Sequence, residues 1–420
     1  MKRSILLATA ATALVFAAPA LAADCAITVG VVMELTGPAG EYGQAGAKSV
    51  EMAFRDLNDA GGPHGCKLVA DTRDSQSQGA LAVDAANQLV QLKKVPAIIG
   101  GIISSVSIPI LTSVTGPGKI VQVSPASSSP TLTALGREGK TNGMFFRTIT
   151  SDALQGTAAA KFAIDQGLKK IAVIHVNNDF GVNMLAEFAK AYKALGGEIV
   201  SVSPYNEKQS SYDAEASKGI AAKPDALYLI ATPVDGATIA RAWISEGGPA
   251  KFLLNDGMNS PDFIASVGAK YLNEAYGTSS GTSPTASTEY FNANYKAFSG
   301  GIDPSNPAAD RAYDAGAIVG LAIAAAPSQD PIAIRDAMYK VTSPDGEAIH
   351  AGKADFAKAL ELLKAGKPIR YEGVIGPVAF DQYGDITGPF RLWKIADGKV
   401  TTVGEMSTED VNAIKGKVAK

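Results

Sequence analysis

From residue 26 the chain alternates short branched-aliphatic runs with stretches of helical periodicity, and near Asp152 the same rhythm begins again. The first series holds Ala26-Ile27-Thr28-Val29-Gly30-Val31-Val32, Lys67–Ala70, Ala97-Ile98-Ile99 and Ile120–Val123. The second holds Ile171–Ile174 and apolar runs at 199–203, 226–231 and 252–254. Short continuous apolar runs of this kind are strands buried on both faces, as in parallel sheets. Parallel neighbours need crossover helices. The intervening segments supply them. One carries Ala47, Val50, Phe54 and Leu57 and stops at Gly61-Gly62; another carries Leu185, Phe188, Tyr192 and Leu195. Two such series, each able to build its own core, predict an α/β chain of two doubly wound lobes with mostly parallel sheets.

The remaining third adds helical stretches near 288–298, 309–326, 331–341 and 354–365, with short strands near 374–380 and 391–395. These lack the strands for a third sheet. They are expected to complete the two lobes, so that the chain crosses between them more than once. The expected division is residues 24–148 plus 278–390 in the first lobe and 149–277 plus 391–420 in the second, with a ligand cleft between.

Residues 1–23 read as a signal peptide. Lys2 and Arg3 precede an apolar stretch from Ile5 to about Ala17, and Ala20-Leu21-Ala22 forms a small-x-small cleavage site. The apolar core is too short to span a bilayer. Export to the periplasm is expected. Asp24 stands where a lipoprotein signal needs a small neutral residue before Cys25, which argues against acylation. The chain's only two cysteines begin the first two strands, Cys25 before Ala26 and Cys66 before Lys67. If those strands lie side by side and parallel, their starts meet, and a structural disulfide is expected at the amino edge of the sheet. The formal net charge is −3, with no long basic run, which disfavours nucleic acid and anionic membranes as partners.

Catalytic and metal signatures are thin. His64, His175 and His350 are scattered, and no His-Glu-x-x-His occurs. Gly116-Pro117-Gly118-Lys119 lacks the ending of a phosphate-binding loop, and Gly40, Gly43 and Gly46 lack the Gly-x-Gly core of a dinucleotide site. Asp179-Phe180-Gly181 matches a kinase triplet by letters alone. His175 reads as structural. No metal, cofactor or catalytic residue is expected.

Two serine-rich turns remain. Ala97-Ile98-Ile99-Gly100-Gly101-Ile102-Ile103 runs into Ser104-Ser105, and Lys119-Ile120-Val121-Gln122-Val123 runs into Ser124-Pro125-Ala126-Ser127-Ser128-Ser129-Pro130. Open α/β sheets bind ligands at the carboxyl ends of their strands. Ser104-Ser105 also reads as a helix start, whose unpaired N–H groups and dipole favour an anion. Serines equally cap helices and fill turns, and the residues alone leave both readings open.

The motifs together resemble the periplasmic solute receptors of branched-chain amino-acid ABC transporters, over essentially the whole mature chain. The resemblance rests on Gly37-Pro38-Ala39-Gly40-Glu41-Tyr42-Gly43, the two serine turns, Phe145-Phe146-Arg147-Thr148, Asp179-Phe180-Gly181 and Gly376-Pro377-Val378-Ala379-Phe380-Asp381 with Gly384-Asp385. It implies a type I periplasmic binding fold, a non-catalytic monomer that closes on its ligand, and an inner-membrane ABC permease as partner. Carried over by position, Ser104 with Ser105 and Ser128 would hold a ligand carboxylate. The Ala126-Ser127-Ser128 turn and Asp256 would take an ammonium, with Tyr42, Phe180 and Thr232 along the walls. Three departures stand out. Asp256 is one methylene shorter than the family's usual glutamate, Phe180 replaces a hydroxylated aromatic, and Thr232-Pro233 stands where a tyrosine is common. The implied ligand is a small carboxylate, first a branched-chain or related amino acid, otherwise a benzoate-type acid or amide. A ligand-sensing subunit and a periplasmic hydrolase are the alternatives of other classes.

Overall fold

A computed structural model describes residues 25–418, so the expected signal segment lies outside the described residues. The first lobe is built on strands β1 (Ala26–Met33), β2 (Lys67–Asp74), β3 (Ala97–Gly100), β4 (Val121–Ser124) and β5 (Phe145–Arg147). They pair in the order β2-β1-β3-β4-β5, parallel throughout. The order reverses direction at β1 and β3. The helices that follow these two strands therefore part at the carboxyl edge, which opens a crevice there.

The second lobe begins with β6 (Lys170–Val176), β7 (Glu198–Tyr205), β8 (Ala226–Ile230), β9 (Lys251–Leu254) and β10 (Glu274–Ser280). The chain then returns to the first lobe, where β11 (Glu347–Ile349) and β12 (Ile369–Tyr371) form a separate parallel pair. It ends in β13 (Phe390–Ala396) and β14 (Lys399–Met406), both antiparallel additions to the second sheet, ordered β14-β13-β10-β9-β8-β6-β7.

The crossings fall after Ser280 and before Phe390, a few residues from the expected borders, because β10 and β13 run to the cleft before the chain leaves the sheet. No strand forms at 374–380; Glu372 and Pro377 make a single bridge. The helix that carries Ala47, Val50, Phe54 and Leu57 starts at Gly40. Gly43 permits this, since a Cβ there would collide with the Glu34 carbonyl at the end of β1.

The late helix Ala309–Ala325 supplies much of the first lobe's interior. Its Ile318, Val319 and Leu321 are fully buried in one cluster with Val31, Val50 and Phe54. In the second lobe Trp243 and Trp393, from segments far apart in sequence, are buried together. Each such side chain contributes roughly 1.5–3 kcal/mol by leaving water. Cys25 and Cys66 are joined, with Cα atoms 4.8 Å apart, where β1 and β2 start in register.

Candidate functional site

A cavity of about 320 Å³ lies between the lobes. Tyr42, Ser104, Ala126 and Ser128 line it from the first lobe, and Phe180, Thr232 and Asp256 from the second. Each of them follows the carboxyl end of a parallel strand, where the sheet edge of this architecture leaves room. Ser105 and Ser127, expected in the site, do not line it. Ser127 is fully buried, and its Oγ donates to the Ile102 carbonyl and to Ser107 Oγ. It ties the two serine turns together. Ser107 belongs to the same network, donating to the Gly101 carbonyl at 2.9 Å.

The two serines that do face the cavity are oriented oppositely. Ser104 Oγ accepts the Ser129 N–H at 3.2 Å, which leaves its own proton available as a donor. Ser128 Oγ donates to Asp152 Oδ2 at 2.8 Å, which leaves its lone pairs available as acceptors. The N–H groups of Ile102 and Ile103 are already taken by the buried Glu34 carboxylate, at 3.0 and 3.2 Å. The anion cradle read from the helix start is thus partly filled by the protein itself. Burial pushes the Glu34 carboxyl up to about 7 against these hydrogen bonds.

Asp256 faces the cavity, its Oδ1 accepting from Gly257 N at 3.0 Å and Asn255 Nδ2 at 3.3 Å. Behind it stands Asp152, fully buried, with Oδ1 unpartnered. Burial raises both carboxyls above the usual range, and the charge of Asp256 raises Asp152 further. Two acids crowded into one apolar setting call for a cation. Asp152 escaped the sequence reading because it opens a helix, where an acidic residue needs no further explanation.

The lobes meet across the cleft. Ser260 Oγ reaches the Glu41 carboxylate, and Asn183 Nδ2 donates to Ser129 Oγ and Thr131 Oγ1, each at 3.3 Å. Gly257 sits so close to Tyr42 Oη that a side chain there would collide with it. Several polar atoms of the cavity wall have no protein partner, among them Tyr42 Oη, Thr232 Oγ1, Ser279 Oγ and Arg311 Nε. Uncommitted buried polar atoms cost stability unless something else satisfies them. His175 does not line the cavity; its Nδ1 lies 3.0 Å from the Val176 carbonyl, and burial lowers its pKa.

The second serine turn is held from behind by Arg147, which is fully buried. Its Nη1 donates to the Ser127 and Ser129 carbonyls at 3.1 Å each, and its Nε pairs with Asp385 at 2.7 Å. The sequence signal for this clamp was a cation directly after two phenylalanines in a strand. Among the described residues no His, Cys, Asp and Glu cluster could hold a metal, and no helix is long and apolar enough to cross a membrane.

A profile of the periplasmic binding protein family matches residues 26–399. The chain belongs to that family. It is a solute-binding protein rather than an enzyme. Among curated relatives, the chemotactic signal transduction system substrate-binding protein BasB of Halobacterium salinarum is 26% identical, over 90% of this chain and 88% of its own. The fold matches the leucine-binding protein LivK of Thermotoga maritima with a TM-score of 0.77 at 22% identity, covering 91% of this chain and 99% of that one. It also matches an R. palustris ABC-transporter solute-binding protein solved with 4-hydroxybenzoate, at a TM-score of 0.75 and 18% identity, over 93% of this chain and 100% of that one. Periplasmic binding proteins with this likeness work outside the cytoplasm.

Proposed function

We propose that the receptor captures a small amino acid, holding its carboxylate at Ser104 and its ammonium between Ser128 and Asp256. The observation that carries this reading is the opposed polarity of the two serines. Ser104 offers a donor, Ser128 offers an acceptor, and the carboxyl groups of Asp256 and Asp152 lie on the acceptor side. A zwitterion presents the complementary pair of charges a few ångströms apart. The ligand then satisfies polar atoms of both lobes, which is what stabilises closure. The closed, monomeric complex is the form presented to an inner-membrane ABC permease after export through the signal segment.

A second reading is an aromatic acid without an amine. It is favoured by Phe180 on the wall, by the short Asp256 side chain, and by the aromatic acid bound to the R. palustris relative. Thermal-shift screening of leucine, valine, glutamate and benzoate separates the two. A ligand at 100 times its Kd adds about 2.7 kcal/mol of apparent stability. An amino acid is expected to raise the Tm; a response to benzoate alone would overturn the amino-acid reading.

A further inference from the structure

The cavity continues past the serine turns. Beyond Ser279 and Ser280, where the chain crosses back to the first lobe, its hinge-side wall carries Asp310, Arg311 and Arg391. Arg311, in the first turn of helix Ala309–Ala325, is only 8% exposed. Its Nη1 lies 2.9 and 2.8 Å from the two Asp310 carboxylate oxygens, and its Nη2 donates to the Ser280 carbonyl at 2.7 Å. Its Nε is buried without a partner. Arg391 enters from β13, paired with Ser279 across the ladder, and is half-buried.

Asp310 is engaged by Arg311, and Glu405, opposite Arg391 on β14, makes no ion pair with it among the described residues. Arg391 thus has no carboxylate partner of its own among the described residues at this end of the cavity. Burial, and then the charge of Arg311, push the Arg391 pKa down, while the charge of Asp310 opposes them. A partly buried cation is costly unless an anion meets it, and the planar guanidinium fork fits a carboxylate. Arg311 and Asp256 line the same cavity, and the charge of Arg311 favours the ionised form of Asp256.

We propose that Arg391, with Arg311 beside it, forms an anion subsite at the hinge end of the cavity that takes a second carboxylate, carried on the far end of the ligand. The inference rests on the reading of Ser104 as the cradle for the first carboxylate, and it narrows the ligand class to acids with an anionic side chain. Neither serine turn accounts for these arginines. Their role follows from Arg391, which has no ion-pair partner among the described residues, and from the unpartnered Arg311 Nε in the cavity wall.

The test is calorimetric titration with near-isosteric pairs that differ in the terminal group: L-leucine against L-glutamate, and 4-methylbenzoate against terephthalate. The wild-type protein, Arg391→Gln, Arg391→Lys and Ser104→Ala are compared at one pH, with circular dichroism to verify folding. The wild type is expected to prefer the diacid of whichever pair it binds by about ten-fold or more, the effect of one charged hydrogen-bonded contact. Arg391→Gln should collapse that preference, and Arg391→Lys should keep part of it. Equal affinity for monoacid and diacid in the wild type overturns the subsite. So does a diacid preference that survives Arg391→Gln while Ser104→Ala weakens binding, and in that case the serine cradle stands. Undiminished binding in Ser104→Ala overturns the cradle, and the two-carboxylate ligand with it.

Discussion

Ser260 Oγ of the second lobe lies 2.8 and 2.9 Å from the two carboxylate oxygens of Glu41 in the first. Ser260 also accepts the Phe263 N–H at 3.1 Å, so its proton is directed at Glu41. This contact between the lobes holds the carboxyl partly buried. Burial raises its pKa from 4.5 to about 7; the Ser260 hydrogen bond opposes the rise, and the nearby Asp262 charge adds to it. Between those two values the closed form holds a proton that the open form lacks. Glu41 therefore opposes closure least at acidic pH, and most once the pH has risen through about 7. Glu41→Gln keeps an acceptor for Ser260 without the charge. The affinity ratio of Glu41→Gln to wild type for a bound amino acid should rise from pH 5.5 to pH 8. A ratio independent of pH would contradict the assignment.

Ser104→Ala and Ser107→Ala should separate binding from folding. Ser104 has a free donor at the cavity, and its loss should weaken ligand binding by about 1.5–3 kcal/mol, as for a hydrogen bond to a charged group. Ser107 is fully buried and bonded to Gly101 and Ser127. Its removal should lower unfolding stability by about 1 kcal/mol instead, since a buried hydrogen bond is lost while the Gly101 carbonyl keeps its bond from Ser124. Paired calorimetry and urea unfolding read both quantities. An affinity loss confined to Ser107→Ala would reverse the roles.

Arg147 and Asp385 form a buried pair 2.7 Å apart, linking β5 to a segment far along the chain. Removing one partner of such a pair costs about 3–5 kcal/mol. Arg147→Ala should lower the urea midpoint accordingly and weaken binding as well, because the Ser127 and Ser129 carbonyls lose their donor. Unaltered stability would show that the clamp is dispensable.

The Cys25–Cys66 bond closes a sequence separation of 41 residues at the amino edge of the first sheet, opposite the cavity. In the chain-entropy model its loss costs about 4 kcal/mol. The Cys25→Ser, Cys66→Ser double variant should unfold at lower urea while ligand affinity, measured well below the transition, holds. A loss of affinity in the folded double variant would place the bond in the binding mechanism.

The two β-α series were legible because their strands are buried on both faces and therefore appear as unbroken apolar runs. β14 was not, since most of Lys399–Met406 is exposed at the sheet edge and carries no apolar run. Ser104 and Ser128 were legible as cavity-lining positions because each follows a strand at the carboxyl edge of the sheet, whereas Asp256 came from the family resemblance alone. Ser127 was misread for the same reason: position after a strand does not reveal which way a hydroxyl points. Asp152, Arg311 and Arg391 reach the cavity region from a helix start, a late helix and an antiparallel strand. Only the chain crossings bring them there, and no local pattern records those.

The central claim is that the cavity reads a carboxylate and an ammonium together. The most direct measurement titrates amino acids and their amine-free counterparts, L-leucine with 4-methylpentanoate and L-glutamate with glutarate, against the wild-type protein and Asp256→Asn. The amine-bearing member should bind tighter to the wild type. Asp256→Asn should cost it about 3–5 kcal/mol, because the ammonium then sits unpaired in a closed cleft. Equal binding of the amine-free acid, with affinity unchanged or improved in Asp256→Asn, would contradict the account.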